Sequence, residues 1–179
     1  TLTMPDIYDT LFSLSSPVII SGPCSAETEE QVLETASQLK ASGRVHLFRS
    51  GLWKPRTRPG LFEGVGEKGL PWLRRVKMEV GLPVTVEVAN AEHVDLALKN
   101  EIDFLWIGAR STSNPFSIQE ISDSLNGTNV PVLIKNPTGP DVDLWSGAVE
   151  RLSQAGISHI ALIHRGFSSY GNSIYRNPP

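Results

Sequence analysis

The chain has 179 residues, 40% of them hydrophobic, which is enough for one sizeable core, so a single domain over residues 1–179 is predicted. A formal charge of −3 argues against a nucleic-acid-binding protein, and no apolar run approaches the ~20 residues of a membrane helix. A single cysteine excludes an internal disulfide, and the first residues do not resemble a secretory signal, so we expect a cytoplasmic protein.

Strand-like and helix-like segments alternate along the chain at intervals of about 30 residues. Six segments predict strands, over 17–24, 44–49, 83–87, 103–110, 131–135 and 159–165. Helical spacing of apolar residues predicts helices over 28–42, 66–81, 91–100, 115–126 and 141–156. This interval is typical of the βα unit of a (β/α)8 barrel, which needs ~250 residues, so about two units would be missing. An open doubly wound sheet is the alternative.

The last residue of each predicted strand shares a face with the residues two and four positions before it, most of which are apolar. These terminal residues are Cys24, Arg49, Glu87, Arg110, Lys135 and Arg165. Parallel strands bring their carboxyl ends to one rim, so this mostly cationic set predicts a pocket for a small polyanion. The connection at 50–65 is long and rich in Pro, Gly and Arg, as functional loops often are.

Six motifs occur at or near these strand ends. They are GPCSAE (22–27), the stretch 48–70, VEV (86–88), IGARST (107–112), LIKNPTG (133–139) and HRGFSSY (164–170). In this order they resemble the 3-deoxy-D-arabino-heptulosonate-7-phosphate (DAHP) synthases, most closely the short branch related to 3-deoxy-octulosonate-8-phosphate synthase. The resemblance implies an α/β protein with a TIM (β/α)8 barrel, of which this chain supplies about the first six units. It also implies condensation of phosphoenolpyruvate with erythrose 4-phosphate, the first step of the shikimate pathway to aromatic amino acids.

The resemblance also assigns roles to individual residues. Phosphoenolpyruvate would be held by Arg49, Arg110, Lys135 and Arg165, and erythrose 4-phosphate by Lys54, Pro55, Arg56 and Thr57. Cys24 would be a ligand of a divalent metal, and a thiolate favours Mn, Fe, Co or Zn over Mg. Guanidinium groups match carboxylates and phosphates bidentately, which agrees with these roles. We expect Lys135 and Arg110 to act in catalysis together with Glu87, which could be a base or orient water and cations.

Several alternatives stay open. Some candidate residues also have a purely structural interpretation. The arginines could form surface ion pairs, Cys24 could be a buried apolar residue, and the four tryptophans, Trp106 among them, could be packing residues. The functional alternatives are 3-deoxy-octulosonate-8-phosphate synthase, which KPRT at 54–57 disfavours, a Schiff-base aldolase using Lys135, and a non-catalytic phosphate-ester binding module.

The motifs that would carry the remaining metal ligands of the family, a His, a Glu and an Asp, are not found in the sequence. We therefore expect a C-terminally incomplete chain without metal-dependent activity of its own. For the full-length protein we expect a homo-oligomer, with a fused chorismate mutase domain as an open alternative.

Overall fold

A computed structural model describes residues 6–167, so the end of the motif at 164–170 and the YRNPP sequence at 175–179 lie outside the described residues. The strands are β1 (Ile20–Ser21), β2 (Leu47–Arg49), β3 (Val84–Val88), β4 (Phe104–Ile107), β5 (Val132–Lys135) and β6 (Ile160–Ile163). The helices are α1 (Ile7–Phe12), α2 (Glu29–Ala41), α3 (Leu70–Arg75), α4 (Ala91–Lys99), α5 (Ala109–Thr112), α6 (Pro115–Leu125) and α7 (Val142–Gln154). Within this part of the chain, the helices are too short or too polar to cross a membrane.

The strands follow one another in the sheet in chain order, β1-β2-β3-β4-β5-β6. The pairs β1–β2, β2–β3, β4–β5 and β5–β6 are all parallel. In β2 and β3, Arg49 pairs with Thr85, and in β5 and β6, Lys135 pairs with Ile163. Parallel neighbours joined through helices are the βα repeat that the sequence predicts.

The described residues up to Val86, together with Leu96–Asp103, form one compact unit. Its helix α2 begins where the Thr28 side chain accepts a hydrogen bond from the Gln31 N–H, as an N-cap does. Its core consists of fully buried apolar side chains, among them Val32, Ala36, Leu47, Phe48, Leu52, Leu70, Leu73 and Val76. The carboxyl ends of β1 and β2 therefore lie in a unit with a well-packed apolar core.

Glu87–Asp95 and the described residues from Phe104 onward form a second compact unit. Its helix α7 begins at an N-cap in which the Asp141 side chain accepts from the Leu144 N–H. The fully buried side chains of this unit include Phe104, Leu105, Ile107, Ile118, Ile121, Leu125, Val132, Ile134 and Leu152. This unit carries the carboxyl ends of β4, β5 and β6.

Most of the observed strands are shorter than the sequence predicts, and this changes the place of three candidate residues. Cys24 lies beyond β1, Arg165 beyond β6, and Arg110 in the short helix α5 that begins directly after Gly108. The prediction that these three residues end strands is therefore wrong. Its physical reason is that the chain leaves the ladder as soon as a loop or helix offers other hydrogen bonds, as the Thr112 N–H does to the Gly108 carbonyl. Glu87, which was predicted to be the last residue of its strand, is the last but one residue of β3.

The segment 66–81 is also more complex than the single helix that its spacing predicts. It begins with a 3-10 turn over Gly66–Gly69, continues as α3 and ends in a π-helical turn over Val76–Val80. Pro71 lies in the first turn of α3, where its missing N–H has no helical partner to lose. Apolar spacing alone does not distinguish these helix types.

Candidate functional site

The first candidate group, which we call the thiol cluster, consists of Cys24, Arg49 and Lys54 in the first unit. The Lys54 Nζ donates to the Cys24 carbonyl at 2.8 Å and lies 3.2 Å from the Cys24 Sγ. Gly51 makes this approach possible, because a Cβ there would lie 2.5 Å from the Cys24 carbonyl oxygen and 3.0 Å from the Lys54 Nζ. Arg49 also hydrogen-bonds to the Cys24 sulfur, so the structure brings three of the predicted residues together.

The thiol cluster changes the acidity of its cysteine. The Lys54 ammonium, hydrogen-bonded to the sulfur, holds the pKa of the Cys24 thiol below its ordinary value. Partial burial opposes this effect, and Arg49 adds to it by charge and by a hydrogen bond. A cysteine with cationic neighbours is present as thiolate at lower pH and is then a better nucleophile and metal ligand. The interpretation of Cys24 as a buried apolar residue is wrong, because it is exposed.

Replacing the lysine tests this effect. We expect Lys54→Met to raise the pKa of Cys24, because its largest cause is removed, so the pH at which alkylation by iodoacetamide is half-maximal moves upward. Lys68→Met removes an exposed lysine of the same unit and serves as the control, with an unchanged midpoint. An alkylation profile that is the same in all three proteins would show that Lys54 does not act on the sulfur.

The KPRT sequence at 54–57 lies on a loop whose two sides are joined by hydrogen bonds. The Lys54 N–H donates to the Glu63 carbonyl at 2.8 Å, and the Arg56 Nε donates to the Phe62 carbonyl at 2.7 Å. Pro55, Arg56 and Thr57 are exposed. The bond to Phe62 uses one of the N–H donors of Arg56 and fixes the direction of its guanidinium, which keeps further donors for an anion.

The second candidate group, which we call the indole cluster, consists of Glu87, Trp106 and Lys135 in the second unit. The Trp106 Nε1 donates to the Glu87 Oε2 at 3.0 Å, and the Lys135 Nζ lies 5.7 Å from the centroid of the Trp106 ring. Gly108 makes room for the carboxylate, because a Cβ there would overlap the Glu87 Oε1. Trp106 is a site residue that the sequence interpretation missed. The signal was present, because Trp106 and Gly108 share the parity of Arg110 in the predicted strand.

Arg165 is held through Asn136, which lies in the LIKNPTG motif but has no predicted role. The fully buried Asn136 side chain accepts from the Arg165 N–H at 2.7 Å and donates to the Gly166 and Pro137 carbonyls at 3.0 Å each. Its main-chain N–H donates to the Ile163 carbonyl at 3.2 Å. The side-chain amide therefore acts like a peptide group that continues the β5–β6 ladder past its last pair and fixes the backbone of Arg165.

The remaining candidate, Arg110, is exposed on α5 in the second unit. The structure therefore brings together Cys24, Arg49 and Lys54 in one unit, and in the other it places Glu87 and Lys135 at one tryptophan. The convergence of both groups on one rim stays a prediction.

Comparison with known protein families shows to which family the chain belongs. The sequence profile of the DAHP synthetase I family matches residues 15–177. The chain belongs to this family. Similar curated members and relatives include a phospho-2-dehydro-3-deoxyheptonate aldolase of Thermotoga maritima, 33% identical over 94% of this chain and 48% of that protein. A 2-dehydro-3-deoxyphosphooctonate aldolase of Thioalkalivibrio sulfidiphilus is 31% identical over 90% of this chain and 58% of that protein. The chain spans about half the length of these relatives.

Solved structures of the DAHP synthetase I family confirm the predicted fold class. The crystal structure of the Thermotoga maritima DAHP synthase has a TM-score of 0.77 at 30% identity and covers 90% of this chain and 45% of its own. A truncated form of the Thermotoga maritima enzyme has a TM-score of 0.74 at 29% identity and covers 90% of this chain and 56% of its own. The six parallel βα units thus represent part of the barrel of the DAHP synthases, and the open doubly wound alternative is wrong.

The resemblance to DAHP synthases also implies a divalent metal at Cys24. The lowered pKa of this thiol suits a metal ligand, but the Lys54 ammonium 3.2 Å from the sulfur would repel a cation. Among residues 6–167, there is also no group of three His, Cys, Asp or Glu side chains that could hold a metal ion. The described residues therefore do not fit a metal centre by themselves, and the metal stays a prediction.

Proposed function

We propose that the whole protein condenses phosphoenolpyruvate with erythrose 4-phosphate to form DAHP and phosphate. The observation that carries this proposal is the indole cluster, in which a carboxylate and an ammonium are fixed at the carboxyl ends of β3 and β5 of a DAHP synthetase I family chain. Fixed groups of opposite charge suit a reaction in which a bound anion is attacked by water. Membership of the family supports an aldolase-type condensation.

The chemistry requires an enol phosphate to act as a carbon nucleophile. C3 of phosphoenolpyruvate forms a bond to the aldehyde carbon, and the aldehyde oxygen takes up a proton. Water then adds to C2 and loses a proton. The bond between C2 and the phosphate oxygen breaks as the new C2 hydroxyl loses its proton and becomes the ketone, and phosphate leaves. We propose that Lys135, Arg110, Arg49 and Arg165 bind the carboxylate and phosphate of phosphoenolpyruvate through charge-assisted hydrogen bonds. Glu87 would orient the water and accept its proton.

Two observations bear on the alternatives that the sequence leaves open. The Lys135 Nζ lies over the ring face of Trp106, an arrangement that suits a cation held for an anionic ligand, so it favours ligand binding by Lys135 over Schiff-base formation. Arg56 and Thr57 are exposed on a loop that is held by hydrogen bonds, and they offer a guanidinium and a hydroxyl to an aldose phosphate. Both belong to the KPRT sequence, which is our reason for choosing erythrose 4-phosphate as the substrate. The sister synthase, which uses arabinose 5-phosphate, stays the second candidate because its relatives also match.

Two arginine variants test the assignment of Arg56 to the aldose phosphate and of Arg110 to phosphoenolpyruvate. We expect Arg56→Ala to lower the affinity for the aldose phosphate about tenfold, because ~1.5 kcal/mol of charge-assisted hydrogen bonding is lost while the Lys54 ammonium remains. The same variant should leave phosphoenolpyruvate unaffected. Arg110→Ala should do the reverse. The affinities are measured by calorimetric titration of each ligand into each variant of the whole protein.

The control for both variants is Arg151→Ala, which removes an exposed arginine of α7 that bonds to Gln119 on the neighbouring helix. It should leave both affinities unchanged. Equal losses of both ligands in Arg56→Ala and in Arg110→Ala would contradict the proposed assignment of the two arginines.

A further inference from the structure

We propose that Trp106 is a positioning residue of the phosphoenolpyruvate site, which holds Glu87 through its N–H and Lys135 through its ring. This inference rests on the proposed function and adds a residue to it. It assigns a separate task to each half of one side chain: the indole N–H directs the carboxylate, and the aromatic face directs the ammonium. The two groups that the reaction needs are thereby fixed relative to the same rigid ring.

The position of Trp106 in the sheet supports this role. Trp106 pairs with Leu133 in the β4–β5 ladder, and Lys135 lies two residues further along β5, on the same face. Trp106 is only 3% exposed, and a buried indole N–H needs an acceptor. The acceptor here is a carboxylate oxygen at 3.0 Å, so the bond is charge-assisted and stronger than one to a neutral group.

The surroundings of the carboxylate support the same conclusion. While Trp106 binds the Oε2 of Glu87, the Oε1 lies against the backbone at Gly108, where a side chain would collide with it. Both oxygens of the half-buried Glu87 carboxylate therefore have a defined place. The Trp106 N–H binds one, and the other occupies the space that a side chain at position 108 would fill. A packing tryptophan requires neither the carboxylate acceptor nor the missing Cβ.

Two variants separate the tasks of the side chain. Trp106→Phe keeps an aromatic face and loses the N–H, while Trp106→Gln keeps an N–H donor and loses the aromatic face. The matched control is Trp145→Phe, because the Trp145 Nε1 donates to the Ile134 carbonyl at 3.2 Å, one residue before Lys135. Circular dichroism checks that each variant is folded. A fourth variant, Glu87→Gln, tests the hydrogen bond itself.

The contact is read in the unliganded protein from the indole N–H signals in a nitrogen-15 NMR spectrum. The Trp106 signal, identified by its loss in Trp106→Phe, should move when Glu87 is replaced by Gln, and the Trp145 signal should not. The functional readouts are phosphoenolpyruvate affinity and steady-state kinetics of the whole protein. Trp106→Gln should lower the affinity for phosphoenolpyruvate about fivefold. Trp106→Phe should have an affinity within about twofold of that of the unmodified protein, but a kcat about tenfold lower.

The possible results are distinct. Equal effects of Trp106→Phe and Trp106→Gln on affinity and kcat would overturn the separate tasks and leave a packing role. A Trp106 signal that does not respond to Glu87→Gln would overturn the contact. An unmodified protein that does not bind phosphoenolpyruvate would overturn the proposed function and, with it, the role of Trp106 in that site. An unmodified protein that binds it while the variants behave alike overturns only the inference.

Discussion

Lys135→Met is expected to weaken phosphoenolpyruvate binding by about 30- to 150-fold, because a bond from a charged donor to an anion contributes ~2–3 kcal/mol. Methionine keeps an unbranched apolar side chain over the Trp106 ring, so the loss reports the charge rather than the packing. The affinity is measured by calorimetric titration. Lys99→Met, which removes an exposed lysine at the end of α4, is the matched control and should bind normally.

The same lysine decides between two mechanisms. A Schiff base on Lys135 would be trapped by borohydride and detected as a mass increase that Lys135→Met abolishes. We expect no trapped adduct in the unmodified protein. Phosphoenolpyruvate binding that Lys135→Met leaves within about twofold would contradict the assignment of this residue to the ligand.

Asn136→Ala is expected to destabilise the protein by about 2–3 kcal/mol, because the Arg165 N–H and two carbonyls lose a buried partner. In a chain of this size that corresponds to a fall in Tm of about 5–10 °C in a thermal unfolding experiment. Phosphoenolpyruvate affinity should fall as well, because the backbone that carries Arg165 is no longer fixed.

Asn100→Ala is the comparison for this variant. The Asn100 side chain donates a single hydrogen bond, to the Leu96 carbonyl at 2.9 Å, so we expect a loss of about 1 kcal/mol or less. If the two variants have the same Tm, the Asn136 amide does not extend the β5–β6 ladder as we describe.

Much of the architecture could be predicted from the sequence because it depends on periodicity. The alternation of strands and helices, the parallel sheet and the location of α2, α4, α6 and α7 all follow from apolar spacing and from caps such as Thr28 and Asp141. Lys135 ends its strand as predicted.

The rest depends on contacts between segments far apart in the chain. A local pattern can place Trp106 on the face of Arg110, but it does not identify the partner of either side chain. The Asn136 side chain bonds to residues 30 and 29 positions away, and the Trp106 N–H to a carboxylate 19 positions away. The sequence predicts a strand up to Arg110 because IGAR continues an apolar run, whereas α5 starts right after Gly108. Propensity alone could not decide between these two structures.

The most direct test of the proposed function is to identify the product that the whole protein forms from phosphoenolpyruvate and an aldose phosphate. Erythrose 4-phosphate and arabinose 5-phosphate are supplied in parallel, with phosphate release and product mass as the readouts. We predict DAHP and an equivalent of phosphate from erythrose 4-phosphate, and little product from arabinose 5-phosphate. A preference for arabinose 5-phosphate, or binding of phosphoenolpyruvate without any product, would contradict the proposed function.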